Sequence, residues 1–389
     1  MQRIDSATAN ATANGTGKPG FVGGTFPNTP PTQLTPKWCN QVQEELANTI
    51  AVTKATALST SVTQLRDGLL ARFRGSVVRG MKPFKSLSVD AAINDIIWTE
   101  QLQAFVGVGA SKAFHSIDGV IWTEATGMVS GTFTSIAFSP SLEKFIAIGN
   151  SGVIRQSVDE GTDWSAVTTP PDANNWTSVC WSPELSLFVA VSRNGTNRVS
   201  TSPTGAVWTA RSASQANSWR SVCWSAELGL FCAVAEDGTN RVMTSPDGIN
   251  WTNRTSPASL CKWSSVCWSS ALSRFVAVSD DTTGNMTMYS ADGITWSANY
   301  IGGSENWWKK VIWIPDLLCF VACANQSSND GADNGSDVAL MLSEDGITWK
   351  CATAGSGAYI DTIAWSPSLQ MLCGYGTHDD PDVNIFLGP

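Results

Sequence analysis

From residue 92 onward the chain alternates short apolar runs with short polar breaks, and the alternation repeats. The first unit is an apolar run ending in an aromatic, a polar turn, and a second apolar run containing Phe. It reads SVCWSPELSLFVAV at 178–191, SVCWSAELGLFCAV at 221–234 and SVCWSSALSRFVAV at 265–278. Looser copies stand at 95–108, 135–148, 310–323 and 362–375. The seven copies are anchored on Trp98, Phe138, Trp181, Trp224, Trp268, Trp313 and Trp365. Runs of this length, rich in Val, Ile and aromatics and bounded by turn residues, predict β-strands.

A second unit, Ser-x-Asp-Gly-x-x-Trp, falls between the copies of the first. It reads SIDGVIW at 116–122, SPDGINW at 245–251, SADGITW at 290–296 and SEDGITW at 343–349. SVDEGTDW at 157–164 has one extra residue, and SPTGAVW at 202–208 has Thr204 in place of Asp. Asp-Gly between strands is a hairpin signal, because Gly accepts positive φ and Asp bonds its own backbone. Each repeat therefore reads as strand, short turn, strand, loop, strand, Asp-Gly turn, strand. Four strands in roughly 40–45 residues make one propeller blade.

Seven first units and six second units predict an all-β fold, a seven-bladed β-propeller of four-stranded blades, with six or eight blades left open by the weak first and last copies. The last blade has only three strands of its own, the third at 383–387. Residues 84–89 (FKSLSV) are expected to supply the fourth, so that N- and C-terminal strands close the ring and leave no open sheet edge. The predicted division is a segment at 1–50, a linker or short helical stem at 51–83, and the propeller at 84–389.

The second unit resembles the Asp-box of sialidases and related propellers, S-x-D-x-G-x-x-W, which SVDEGTDW matches fully. That resemblance implies a structural hairpin away from any ligand. Asp118, Asp159, Asp247, Asp292 and Asp345 are accordingly read as turn residues. A second tryptophan series, Trp176, Trp219, Trp263 and Trp308, stands five residues before the anchors. Phe133, Ile93 and Ile360 occupy the same slot, which points to core packing. Cys180, Cys223 and Cys267 recur directly before a Trp, which also reads as a repeated core slot.

Residues 1–50 lack this period. A Gly-, Pro- and Thr-rich extended stretch precedes TPKWCNQVQEELANTI, in which Trp38, Val42 and Leu46 share a helical face. The run MQRID…GKPGFVGG…W-x-N-x-V-Q-E-E-L is similar to the N-termini of bacteriophage and prophage tail fibre and tail-associated proteins. Arg3, Ile4, Asp5, Gly17, Gly20, Phe21, Trp38, Asn40, Gln43, Glu44, Glu45 and Leu46 carry the resemblance. It implies attachment to phage tail or baseplate proteins in the virion tail, a homotrimer, and synthesis in the cytoplasm of a bacterial host. In the linker, Val62, Leu65, Leu69 and Phe73 stand at helical spacing.

Charge sharpens the division. Residues 1–85 carry a net +6 and the remainder −15, for a total of −9. The acidic balance argues against nucleic-acid binding, and no apolar run is long enough for a membrane helix. The 18 Trp are chiefly a product of the repeat.

Ligand recognition is expected on the longer, more varied loops at one end of the propeller. The receptor-binding candidates are Asn194, Asn197, Asp237, Asn240, Asp280, Asp281, Asn285, Asn329, Asp330, Asp333 and Asn334. No cofactor is called for; Asp330, Asp333 and Asp337 offer carboxylate oxygens of the kind Ca²⁺ takes but lack the EF-hand spacing. These readings together imply a phage tail fibre or receptor-binding protein that recognises a host surface glycan or protein. Two alternatives remain: a structural tail-tip or nozzle propeller, and a sialidase-like glycosidase. The glycosidase is disfavoured because Tyr289, Tyr300, Tyr359 and Tyr375 lack the Glu and Arg company such chemistry uses, and His115 and His378 form no triad pattern.

Overall fold

The computed structural model describes residues 9–10, 20–21, 83–85, 93–168, 172–257, 261–280, 286–301, 306–327, 340–352, 360–376 and 383–387. The chain divides into two units, Met1–Ser76 and Val77–Pro389. In the first, Ala9–Asn10 pairs antiparallel with Gly20–Phe21. The helices expected near 36–50 and 62–73 lie outside the described residues, as do Arg3, Ile4, Asp5, Trp38, Asn40, Gln43, Glu44 and Leu46.

The second unit is an all-β propeller. Six blades are complete in consecutive strands, each a four-stranded antiparallel sheet. The blade after residue 175 is typical, with strands Trp176–Ser182, Leu187–Ser192, Val199–Ser202 and Thr209–Arg211. A further four-stranded sheet joins Thr362–Ser366, Met371–Tyr375 and Val383–Leu387 to Pro83–Lys85. The borrowed strand thus starts one residue earlier than expected. Among the described residues the only helical element is the 3-10 turn Asn150–Gly152.

Burial follows position in the blade. First strands border the central channel and are half-buried, whereas second strands such as Leu187–Ser192 are buried almost throughout. Blades cover both faces of a second strand, which is why it reads as an unbroken apolar run rather than an alternation. Fourth strands lie at the rim and are the most exposed.

Aromatic rings connect the two sequence motifs. In the same blade Phe188 lies 4.5 Å from the anchor Trp181 and 6.3 Å from the hairpin Trp208. The five other consecutive blades repeat this three-ring stack, with Phe138 replacing the anchor Trp in one of them. The second series, Trp176, Trp219, Trp263 and Trp308, is fully buried. Cys180, Cys223 and Cys267 pack against apolar clusters, and burial pushes the Cys180 and Cys267 thiols up.

The Ser-x-Asp-Gly turn works by hydrogen bonding. Asp247 Oδ1 accepts from the Ser245 hydroxyl at 2.9 Å and from the N–H groups of Ile249 and Asn250 at 2.8 and 2.7 Å. Trp251 Nε1 donates to the Gly248 carbonyl at 3.0 Å. Gly248 has φ +71°, and a Cβ there would meet Val189 of the preceding blade at 2.9 Å. Glycine thus satisfies both the turn and the seat of one blade on the next. Burial raises the Asp247 carboxyl, but hydrogen bonds from Asn250, Ile249 and Ser245 together outweigh it and hold it at about 2. Asp118, Asp159, Asp292 and Asp345 are held below the usual carboxylate range by the same balance.

Candidate functional site

The first strand of each blade carries one structural device that the apolar pattern hides. In the six consecutive blades the pairing of first and second strands slips by one residue near the channel mouth. The extra residue is Asn94, Thr134, Thr177, Arg220, Ser264 or Lys309, directly after the repeated slot of Ile93, Phe133 and the second Trp series. A bulge of this kind re-aims the side chain it carries. Asp361 follows Ile360 in the remaining sheet. All seven residues line one cavity of about 440 Å³ at the long-loop end of the channel.

The repeat then separates scaffold from departure. Asn94, Thr134, Thr177 and Ser264 each donate to a main-chain carbonyl of the next blade: Phe133, Trp176, Trp219 and Trp308, at 2.5–2.7 Å. One residue further on, Asp95, Ser135, Ser178, Ser221, Ser265 and Thr362 each accept from an N–H of the adjoining blade at 3.0–3.3 Å. These two belts couple neighbouring blades. Arg220, Lys309 and Asp361 depart from the first belt, and Lys310 departs from the second.

The departures carry charge. Lys310 reaches past Thr362 of the intervening strand, its Nζ 2.6 Å from Asp95 Oδ1 and 3.0 Å from the Ile96 carbonyl. Arg220 lies 3.2 Å from Glu236 and 3.9 Å from Asp280, and Lys309 lies 2.8 Å from Asp280. Arg193 lies 3.8 Å from Glu236. Arg193, Glu236 and Asp280 each directly follow a second strand, so they form a layer above the bulged residues. Alternating charges thus run Arg193, Glu236, Arg220, Asp280, Lys309 along an arc of the mouth. The cavity lining is polar throughout, unlike the mostly apolar walls of typical small-molecule sites.

Of the receptor-binding candidates, Asp280 belongs to this arc. Asn194 accepts from the Asn175 N–H at 2.7 Å, and Asp237 from the Ser218 N–H at 2.5 Å. The Asn197 and Asn240 carbonyls accept from Asn174 and Asn217. These four brace the loops to one another. Asp281, Asn285, Asn329, Asp330, Asp333, Asn334 and Asp337 lie outside the described residues. Among those described, no group of three His, Cys, Asp or Glu side chains is arranged to hold a metal. No helix there is long and apolar enough to cross a membrane.

The channel residues escape sequence reasoning based on loops. Their signal is an internal one: a variable position, Asn, Thr, Thr, Arg, Ser, Lys, Asp, embedded between repeated apolar slots.

The opposite end of the propeller has the contrary character. Ile117, Ile121, Val158, Ile249 and Ile294 are 42–72% exposed on its hairpins, and Leu142, Leu185, Leu228, Leu318 and Leu369 are 36–41% exposed on its turns. Pro83 pairs with Ile385 on the strand that runs toward this end.

No protein-family profile and no curated protein matches the chain. Solved propellers do resemble it. YCF48 from Cyanidioschyzon merolae has 18% identity and a TM-score of 0.58, over 78% of this chain and 98% of that one. YCF48 bound to D1 peptide has 15% identity and a TM-score of 0.56, over 77% and 94%. Virginiamycin B lyase from Staphylococcus aureus has 9% identity and a TM-score of 0.62, over 78% and 96%. At these identities the likeness is one of fold, an all-β propeller.

Proposed function

We propose that the chain is a receptor-binding protein of a bacteriophage tail. Its N-terminal segment anchors it to the virion, and its propeller recognises a host surface glycan or protein at the long-loop mouth of the channel. On this reading the mixed sheet is the seventh blade and closes the ring. The bond from the Ile96 N–H to Thr362 Oγ1, which continues the belt, supports that count.

The observation that carries the binding reading is the contrast between the two ends. The mouth gathers charged residues that the scaffold belts do not use. The other end is apolar at its turns. An adhesin needs one end to attach and one to present. The N-terminal run with Arg3, Ile4, Asp5, Phe21 and Trp38 supports attachment as the role of residues 1–50. Recognition through loops on a rigid scaffold is a common use of such folds, and among the neighbours YCF48 is seen bound to D1 peptide. Binding rather than glycoside cleavage is favoured because Asp95, one of the two carboxylates lining the cavity, is tied to Lys310 and to the Ile136 N–H.

Labelled full-length protein, added to cells of the phage host, should adsorb and compete with virion attachment. Phage encoding a chain without residues 1–50 should assemble virions that lack the protein. Absence of cell binding would overturn the recognition role, and normal incorporation of the truncated chain would overturn the anchoring role.

A further inference from the structure

We propose that the channel mouth takes a hydroxyl-rich carboxylate, an acidic sugar of the uronic or sialic type, with its carboxylate between Arg220 and Lys309. The inference rests on the reading of the mouth as the binding site and names the chemistry of its ligand.

Three features lead there. First, Arg220 and Lys309 are the two bulged residues that carry cations, and bulges in blades two apart aim them into the same cavity. Second, a carboxylate already stands between them. Asp280 lies 2.8 Å from Lys309 Nζ and 3.9 Å from an Arg220 nitrogen. The geometry between these cations therefore fits a carboxylate, and Asp280 acts as a resident competitor that an incoming ligand displaces. Arg220 keeps Glu236 at 3.2 Å, so it stays oriented when Asp280 leaves. Arginine and lysine suit this task differently: Arg220 offers a planar fork, and Lys309 a compact point charge.

Third, the rest of the lining fits a polyol. The cavity of about 440 Å³ is walled by Asn, Thr, Ser and charged side chains, which suits the hydroxyl groups of a sugar. Asp361, at the start of the sheet next to the Lys309 blade, also lines the cavity. Trp307, two residues before Lys309, offers an aromatic face for a sugar beside these cations. It is the one propeller tryptophan outside the three repeated series, and Lys309 Nζ lies 5.4 Å from its ring centroid. Carbon faces of sugars pack on such rings, and the repeat itself has no use for this one.

The test is calorimetric titration of the full chain with glucuronate, galacturonate and N-acetylneuraminate, using glucose and the methyl ester of glucuronate as neutral controls. At least one acid should bind, with the neutral compounds at least tenfold weaker. Arg220→Gln and Lys309→Gln should each weaken binding tenfold or more. Asp280→Asn should tighten it several-fold, an effect that a misfolded variant cannot produce. Binding of no acid by either wild type or Asp280→Asn would overturn the proposal. So would acid binding that Arg220→Gln leaves unchanged. If the full chain adheres to host cells while these sugars neither bind nor compete, the recognition role stands and this ligand assignment falls.

Discussion

The Glu227 carboxylate accepts a hydrogen bond from the Trp268 indole at 2.6 Å, across the boundary between one blade and the next. The same turn position pairs Glu184 with Trp224 at 2.6 Å and Asp316 with Trp365 at 3.0 Å. At the boundary between these cases the position is Ala271, and the Trp313 indole nitrogen is buried with no partner among the described residues. In these three cases an acid one blade earlier serves the anchor tryptophan. Ala271→Glu should supply it and raise stability by about 1 kcal/mol, and Glu227→Ala should lower it by a similar amount. Chemical denaturation followed by tryptophan fluorescence measures both.

Thr204 marks a weaker turn. Its hydroxyl accepts only the Ala206 N–H, at 3.3 Å, where Asp118, Asp247, Asp292 and Asp345 each accept two N–H groups at 2.7–2.8 Å. Gly205 and Ser202 keep the remainder of the turn intact, with a bond of 2.8 Å. Thr204→Asp should therefore stabilise the protein by about 1 kcal/mol, read as an increased denaturant midpoint with an unchanged slope.

The turn aspartates make the propeller acid-sensitive. Their carboxyls are depressed in the folded state, Asp247 to about 2, so the folded state holds fewer protons than the unfolded chain as pH falls. The stability they contribute is fully present above the unfolded value near 3.8. It is lost as pH drops through the folded values. Melting temperature should fall steadily between about pH 4 and pH 2, and Asp247→Asn should flatten part of that fall. A melting temperature constant over this interval would contradict the turn assignment.

Lys310 replaces a belt hydroxyl with a cation held by Asp95. Lys310→Met leaves that carboxylate facing the channel without its cation, and should cost about 3 kcal/mol. The double variant Lys310→Met with Asp95→Asn should recover part of the loss. Urea unfolding of the four proteins in a double-mutant cycle gives the coupling.

The repeat was legible because packing imposes it. A second strand covered on both faces must be continuously apolar, and Phe188 must meet both an anchor and a hairpin tryptophan, so the motifs recur with little latitude. The turn aspartates were legible for the same reason, since Ser245, Asp247 and Gly248 satisfy one backbone geometry. The candidate site was hidden. Its members occupy a bulge, and a one-residue slip in register leaves no mark in apolar periodicity. The loop residues singled out from sequence are polar, but Asn194 and Asp237 spend that polarity on backbone N–H groups of adjacent loops. Asp280 alone of the described candidates reaches the charged arc. It could be separated from the others only once Arg220 and Lys309 were seen beside it.

The central claim is that ligand is held at the channel mouth. The most direct test is array binding of the full chain beside its Arg220→Gln/Lys309→Gln variant, on surfaces carrying bacterial glycans and host envelope proteins. The account predicts that the wild-type pattern is lost in the variant while its melting temperature stays close to that of the wild type. An identical pattern for the two proteins would put recognition elsewhere and contradict it.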